Sequence, residues 1–152
     1  MRSRNLHGQV DRLNALWKAA SRLNDDYVRA QLAELICVRA SGLVETALHE
    51  IYRDYATKRA NPAIASFVSR RLARYQNIRP DTLLQLVGDF SEVWRTDLDS
   101  FLTDERRSAL GSVIRNRNQI AHGQSVSLGL AQMRSWLDRV LEIIDFLDQQ
   151  AS

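Results

Sequence analysis

Between Asn24-Asp25-Asp26 and Lys58 the chain has no proline, and apolar residues return at helical spacing: Tyr27, Leu32, Leu35, Ile36, Leu43, Val44, Ala47, Leu48, Ile51, Tyr52 and Tyr55. That period gathers them on one side of a helix, and Asn24-Asp25-Asp26 supplies a cap and an acidic first turn. A helix this long crosses most of a small domain, so the other segments must pack around it. Gly42 interrupts it at a cost of about 1 kcal/mol relative to Ala, which predicts close packing against a neighbour at that point.

The other segments follow the same rule. Leu6, Val10, Leu13, Trp17, Ala20 and Leu23 predict a first helix over about 5–23, and Asn61-Pro62 opens a third through Ile64, Phe67, Val68, Leu72 and Tyr75. Arg79-Pro80-Asp81 breaks that helix, Leu83 to Val87 predict a short fourth, and Gly88 marks the next joint. Ser91 caps a fifth helix carrying Val93, Trp94, Leu98, Phe101 and Leu102, and Thr103-Asp104-Glu105 opens a sixth through Leu110, Val113 and Ile114 into Arg117. From Ser127 or a neighbour the last helix presents a broad apolar face, Leu130 to Leu147, suited to a central helix or a dimer seam.

With two prolines, six glycines and no alternating Val/Ile/Thr run, the fold expected is all-α: an up-and-down helical bundle with additional short helices, in one domain over 1–152. Hydrophobic residues at 45% and charged residues at 26% exclude a disordered chain. No apolar stretch approaches the roughly 20 residues that span a bilayer, and Met1 to His7 lead into no signal core, so the expected location is cytoplasmic, with no membrane partner. Cys37 is the only cysteine, which excludes an internal disulfide and cysteine-cluster metal sites; between Ile36 and Val38 it reads as a core residue.

A formal charge of +3 is too small to argue for nucleic acid by itself. Arginine supplies 19 of the 21 bases, with lysine only at Lys18 and Lys58; guanidinium is the better phosphate fork, although genomic base composition gives the same bias. Arg53, Lys58, Arg59, Arg70, Arg71, Arg74 and Arg79 face only Asp54 in their stretch, whereas Asp81, Asp89, Glu92, Asp97, Asp99, Asp104 and Glu105 face only Arg95. Such blocks match each other within the molecule, form solvated faces or make a nucleic-acid groove.

Chemistry concentrates in Arg115-Asn116-Arg117-Asn118-Gln119-Ile120-Ala121-His122-Gly123. An imidazole titrates near neutral pH, a guanidinium holds phosphate and an amide fixes its neighbours. Gly123 is placed to end the sixth helix in a left-handed conformation, with His122 at its terminus. Five positions turn through about 500° on an ideal helix, so Arg117 and His122 share a face only if the helix ends or distorts between them. Plainer roles stay open: Arg117 as a helix cap or ion-pair partner, His122 as an ordinary helix end. His7 and His49 have no partner at metal-ligand spacing, so no metal and no cofactor is expected.

Arg117, Asn118 and His122 resemble the motif of the HEPN superfamily, whose ribonucleases have an Arg, usually a polar residue next, and a His four to six residues beyond. Arg39-Ala40-Ser41-Gly42-Leu43-Val44-Glu45 is similar to the corresponding helix of the RiboL-PSP HEPN branch, associated with RNA-repair ligase operons. The resemblance covers essentially the whole chain. It implies a bundle of HEPN type and a metal-independent endoribonuclease, usually a homodimer with a composite site, at work in toxin–antitoxin, phage-defence or RNA-processing systems. On it, Arg117, Asn118 and His122 are the catalytic residues, with Arg115, Arg39, Ser41 and Glu45 as phosphate-binding or supporting candidates and RNA as the substrate. Glu45 either supports the site or pairs with Arg39, and Ser41 favours a local helix bond. An antitoxin or operon partner is implied too, but Gln124 stands where nucleotidyltransferase-silenced members often have Tyr, which puts that mode of control in doubt. A catalytically silent RNA- or protein-binding module is the alternative, and an adaptor using the last helix a third.

Overall fold

A computed structural model describes residues 3–152. It contains α1 (Arg4–Ser21), α2 (Asp26–Arg59), α3 (Pro62–Leu72), α4 (Pro80–Phe90), α5 (Glu92–Phe101), α6 (Asp104–Ala121) and α7 (Leu130–Gln150), with no strand among the described residues. The all-α bundle with short extra helices is what the periodicity predicts. None of these helices is long and apolar enough to cross a membrane.

At 34 residues α2 is the axis, about 51 Å long at 1.5 Å per residue. It packs against α1, α3, α6 and α7. Asp25 caps it by accepting from the Val28 N–H, and Ile36, Cys37, Ala40, Leu43, Val44, Ala47, Leu48 and Tyr52 are buried along it. The broad face of α7 turns inward: Met133, Leu137, Val140, Ile143, Ile144 and Leu147 are buried, and the helix touches α1, α2, α5 and α6. It is thus an inner helix. Trp17 ties α1 to its start by donating from Nε1 to the Leu130 carbonyl.

Four local expectations are corrected. α3 stops at Leu72, short of Tyr75, because the following segment is held by α2: the Asn77 N–H donates to Glu45 Oε1 at 2.7 Å, Asn77 turns through φ 53°, and Ile78 is buried. Gly88 lies inside α4, and Ser91 is the joint, ending α4 and capping α5. A Cβ at Gly88 would come within 2.9 Å of Arg95 Cδ, so the glycine makes room for that side chain. A Cβ at Gly42 would meet nothing, so close packing does not account for that glycine. Finally, α7 begins at Leu130 after Gly129 rather than at Ser127.

Candidate active site

The motif ends α6. Ala109, Leu110, Val113 and Ile114 bury the inner face of this helix, and Cys37 Sγ donates to the Val113 carbonyl across the α2 contact. Burial pushes the Cys37 thiol up to about 11, against a lowering by the Arg117 backbone and with a smaller raising by Glu34. A buried, protonated thiol is an inert core group and no nucleophile. Cys37 also places the backbone of Arg117 directly over α2.

The helix stops as the sequence predicts. His122 has φ −92° and ψ 11°, and Gly123 takes φ 69°. The Gly123 N–H donates to the Ile120 carbonyl at 3.0 Å and the Gln124 N–H to the Gln119 carbonyl at 2.9 Å, the paired closure of a Schellman motif. His122 is therefore the last residue before the chain reverses, and it is exposed.

Helix geometry then sorts the polar side chains. Arg107, Gly111, Arg115, Asn118 and His122 line one wall of a cleft of about 540 Å³; Arg79, Pro80 and Asp81 at the start of α4 line the other, with Gln119 and Gln124 at its edges. Seven positions separate Arg115 from His122, about 20° short of two full turns, so they point the same way. Arg117 is not on this wall. The helix stays regular between Arg117 and His122, and the His122 N–H still reaches the Asn118 carbonyl at 3.1 Å. No distortion brings the two residues onto one face, because Gly123 ends the helix after the motif. The Arg117 guanidinium instead leans on its neighbour, donating from Nη1 to Asn118 Oδ1 at 3.3 Å.

The cleft carries uncompensated positive charge. Arg107 is bridged to Asp99 at 2.6 Å and Asp81 at 3.6 Å. Arg115 donates to Ser112 Oγ at 3.2 Å, and among the described residues no carboxylate bridges Arg115 or Arg79. Nor does any bridge among them join the basic stretch 53–79 to the acidic stretch 81–105, so the charge blocks do not match one another. Lys58 pairs with Asp54 inside its own stretch, and Arg95 with Glu92 inside the other.

The remaining candidates lie elsewhere. Arg39 lines a groove between α1 and α2 with Gln9, Arg12, Leu13, Gly42 and Thr46, and not the cleft that holds His122. Ser41 is 1% exposed and its Oγ has no hydrogen-bond partner, so it neither reaches a ligand nor makes the local helix bond. Glu45 holds the Asn77 N–H rather than Arg39. His7 Nδ1 lies 2.9 Å from the Ser3 carbonyl. His49 borders a different groove with Glu45, Glu50 and Arg53. No three potential metal ligands gather among the described residues. Arg79, Asp81 and Arg107 are charged cleft residues that motif reading misses, since they lie outside the motif and the sequence presents Arg79 only as one base in a basic stretch and part of a helix break.

The sequence model of the family described as RiboL-PSP-HEPN matches residues 9–152. No curated protein and no solved structure matches the chain.

Proposed function

This chain belongs to the RiboL-PSP-HEPN family, and from that premise we propose that it is a metal-independent endoribonuclease cutting RNA by attack of a ribose 2′-OH on the adjacent phosphorus. The observation that carries this reading is the cleft in which His122, Asn118 and Arg115 stand together beside uncompensated charge. The new bond joins the 2′-oxygen to phosphorus, the bond to the 5′-oxygen breaks, and the products are a 2′,3′-cyclic phosphate and a 5′-hydroxyl. One proton leaves the 2′-OH and another arrives at the 5′-oxygen. An exposed imidazole at a helix end suits either transfer. Guanidinium groups neutralise the charge that gathers on the phosphorane, where an electrostatic contact is worth most. DNA lacks the nucleophile and is not cut.

A homodimer with a composite site completes the chemistry. Each protomer brings a single histidine to its cleft, which serves the 2′-OH as base or the 5′-oxygen as acid with water in the other role, and what that cleft lacks is Arg117. Arg117, turned away from its own His122, is then available to the partner's cleft. Tyr27, Val28, Leu35 and Val38 leave apolar side chains exposed on the first half of α2, the half whose Cys37 lies beneath Arg117. That exposed stripe is the surface on which a second copy would pack. Toxin, phage-defence and RNA-repair systems are the settings such an activity fits, with an antitoxin or operon protein as its control.

The test is cleavage of a mixed RNA in EDTA by the unsubstituted protein and by His122→Ala, with product ends analysed. General acid–base catalysis contributes about 10²–10⁴-fold, so His122→Ala should lose about that factor, and the parent's products should end in cyclic phosphate. Equal cleavage by both proteins would sink the proposal. RNA binding without cleavage by the parent would favour the silent binding module, which the separation of Arg117 from His122 within one protomer also supports.

A further inference from the structure

Arg79 has no evident structural task. It is the N-cap residue of α4 but makes no side-chain cap, its side chain is exposed, and no carboxylate bridges it among the described residues. A cation at the positive end of a helix is electrostatically unfavourable, so helix stability does not explain an arginine here. The position itself is firmly fixed. Pro80 holds the start of α4, Arg79 before it is extended at φ −70° and ψ 160°, Ile78 is fully buried, and Glu45 holds the N–H of Asn77 in its left-handed turn. The anchors immediately before and after Arg79 aim it at the cleft that contains Arg115 and His122.

We propose that Arg79 is a phosphate-binding residue of the RNA site, gripping a backbone phosphate next to the scissile one while Arg115 opposite serves the scissile phosphate, and that Glu45 is the positioning residue that holds Arg79 there. The proposal rests on the ribonuclease reading of the cleft. Asp81 and Asp99 both lie against Arg107, so the three arginines of the cleft outweigh these two carboxylates and a net positive charge stays beside Arg79 and Arg115. Two guanidiniums from opposite walls, one beginning α4 and one on α6, suit the forked recognition of neighbouring phosphates along one strand. The contact is made before and during the reaction alike, so Arg79 contributes to binding more than to turnover.

The probe is a short mixed-sequence single-stranded RNA, 2′-O-methylated so that it is bound but not cut, beside its unmethylated form for kinetics. Arg79→Gln should weaken binding roughly tenfold and make the salt dependence of affinity shallower by about 0.7 in log–log slope, the loss of one phosphate contact on a single strand. Cleavage should show a raised KM, with kcat changed far less than by His122→Ala. Arg79→Lys should recover part of the affinity. Arg74→Gln, in the same basic stretch but outside the cleft, should match the parent. Glu45→Ala should reproduce the affinity loss without adding to it in the double variant, and Glu45→Gln, which keeps an acceptor for the Asn77 N–H, should not. If the parent binds and cuts RNA while Arg79→Gln shares its affinity and salt slope, the phosphate assignment is overturned and the ribonuclease reading stands. If the parent neither binds nor cuts RNA, both fall together.

Discussion

The two ends of α4 sit in opposite chemical settings. At the C-terminal end Phe90 stacks on Tyr52 with centroids 4.6 Å apart and stands edge-on to Tyr55 at 6.2 Å, and Trp94 closes against Tyr55 at 5.1 Å. At the N-terminal end Arg79 and Asp81 face Arg115, Asn118 and His122 across an open cleft. Apolar burial, at about 25 cal/mol per Å², secures the aromatic end. The cleft end keeps Arg79 and Arg115 with no carboxylate bridging either among the described residues, which does little for stability. Stability and chemistry are divided along one helix of 11 residues, and the aromatic anchor keeps the chemical end in place.

The largest expected effect tests how the cleft is assembled. Arg115→Gln and Arg117→Gln should each lower cleavage by about 10²–10³, the usual loss when a cation or donor serving the transition state is removed. The two should differ in mixed dimers. Arg115 shares its cleft with His122 of the same protomer, so Arg115→Gln mixed with His122→Ala should stay inactive. Arg117 faces away from its own His122, so Arg117→Gln mixed with His122→Ala should regain activity by assembling one intact site. Failure of that second mixture to recover, with dimers verified, would remove the composite arrangement.

At the aromatic end the expectation is thermodynamic. Phe90→Ala should destabilise the fold by about 2–3 kcal/mol, at or below the low end for buried aromatics because Phe90 is only half-buried. Urea unfolding measures this, and cleavage per folded molecule at low temperature should hold. A loss under about 0.5 kcal/mol would show that the cluster does not anchor α4.

The smallest effect concerns Tyr52, whose hydroxyl is buried without a partner and whose burial pushes its ionisation far above the ordinary tyrosine range. Removing an unsatisfied hydroxyl relieves a desolvation cost, so Tyr52→Phe should change stability by less than about 1 kcal/mol, in the stabilising direction. A clear loss in the same urea assay would mean that the hydroxyl is paired, and the contrast between the two ends would weaken.

Much of this molecule is legible in the order of its residues. Asp25, Asn61-Pro62, Ser91 and Gly123 act within one helical turn, so composition alone locates the helix ends they mark. Errors fall where distant contacts overrule local signals. Tyr75 continues the apolar period of α3, yet Glu45 and the burial of Ile78 pull the chain out of the helix before it. Gly88 looks like a break, but a helix tolerates glycine when a neighbour such as Arg95 needs the space. In the site, Arg115, Asn118 and His122 fall on one face at about 100° per residue, and the same arithmetic separates Arg117 from His122. Arg39 and Ser41 enter only through the similarity of their segment, which does not say which way each side chain turns.

The sequence by itself determined the helices, the left-handed stop at Gly123 and a histidine at the end of α6, because each depends on torsions and hydrogen bonds between residues a few positions apart. Only the tertiary structure decided that Arg79 joins Arg115 and His122, that Arg39 opens onto another groove and that Ser41 is sealed in the core. Those outcomes depend on which helix faces meet, and interhelical packing is set by burial summed over the whole molecule rather than by any local run of residues.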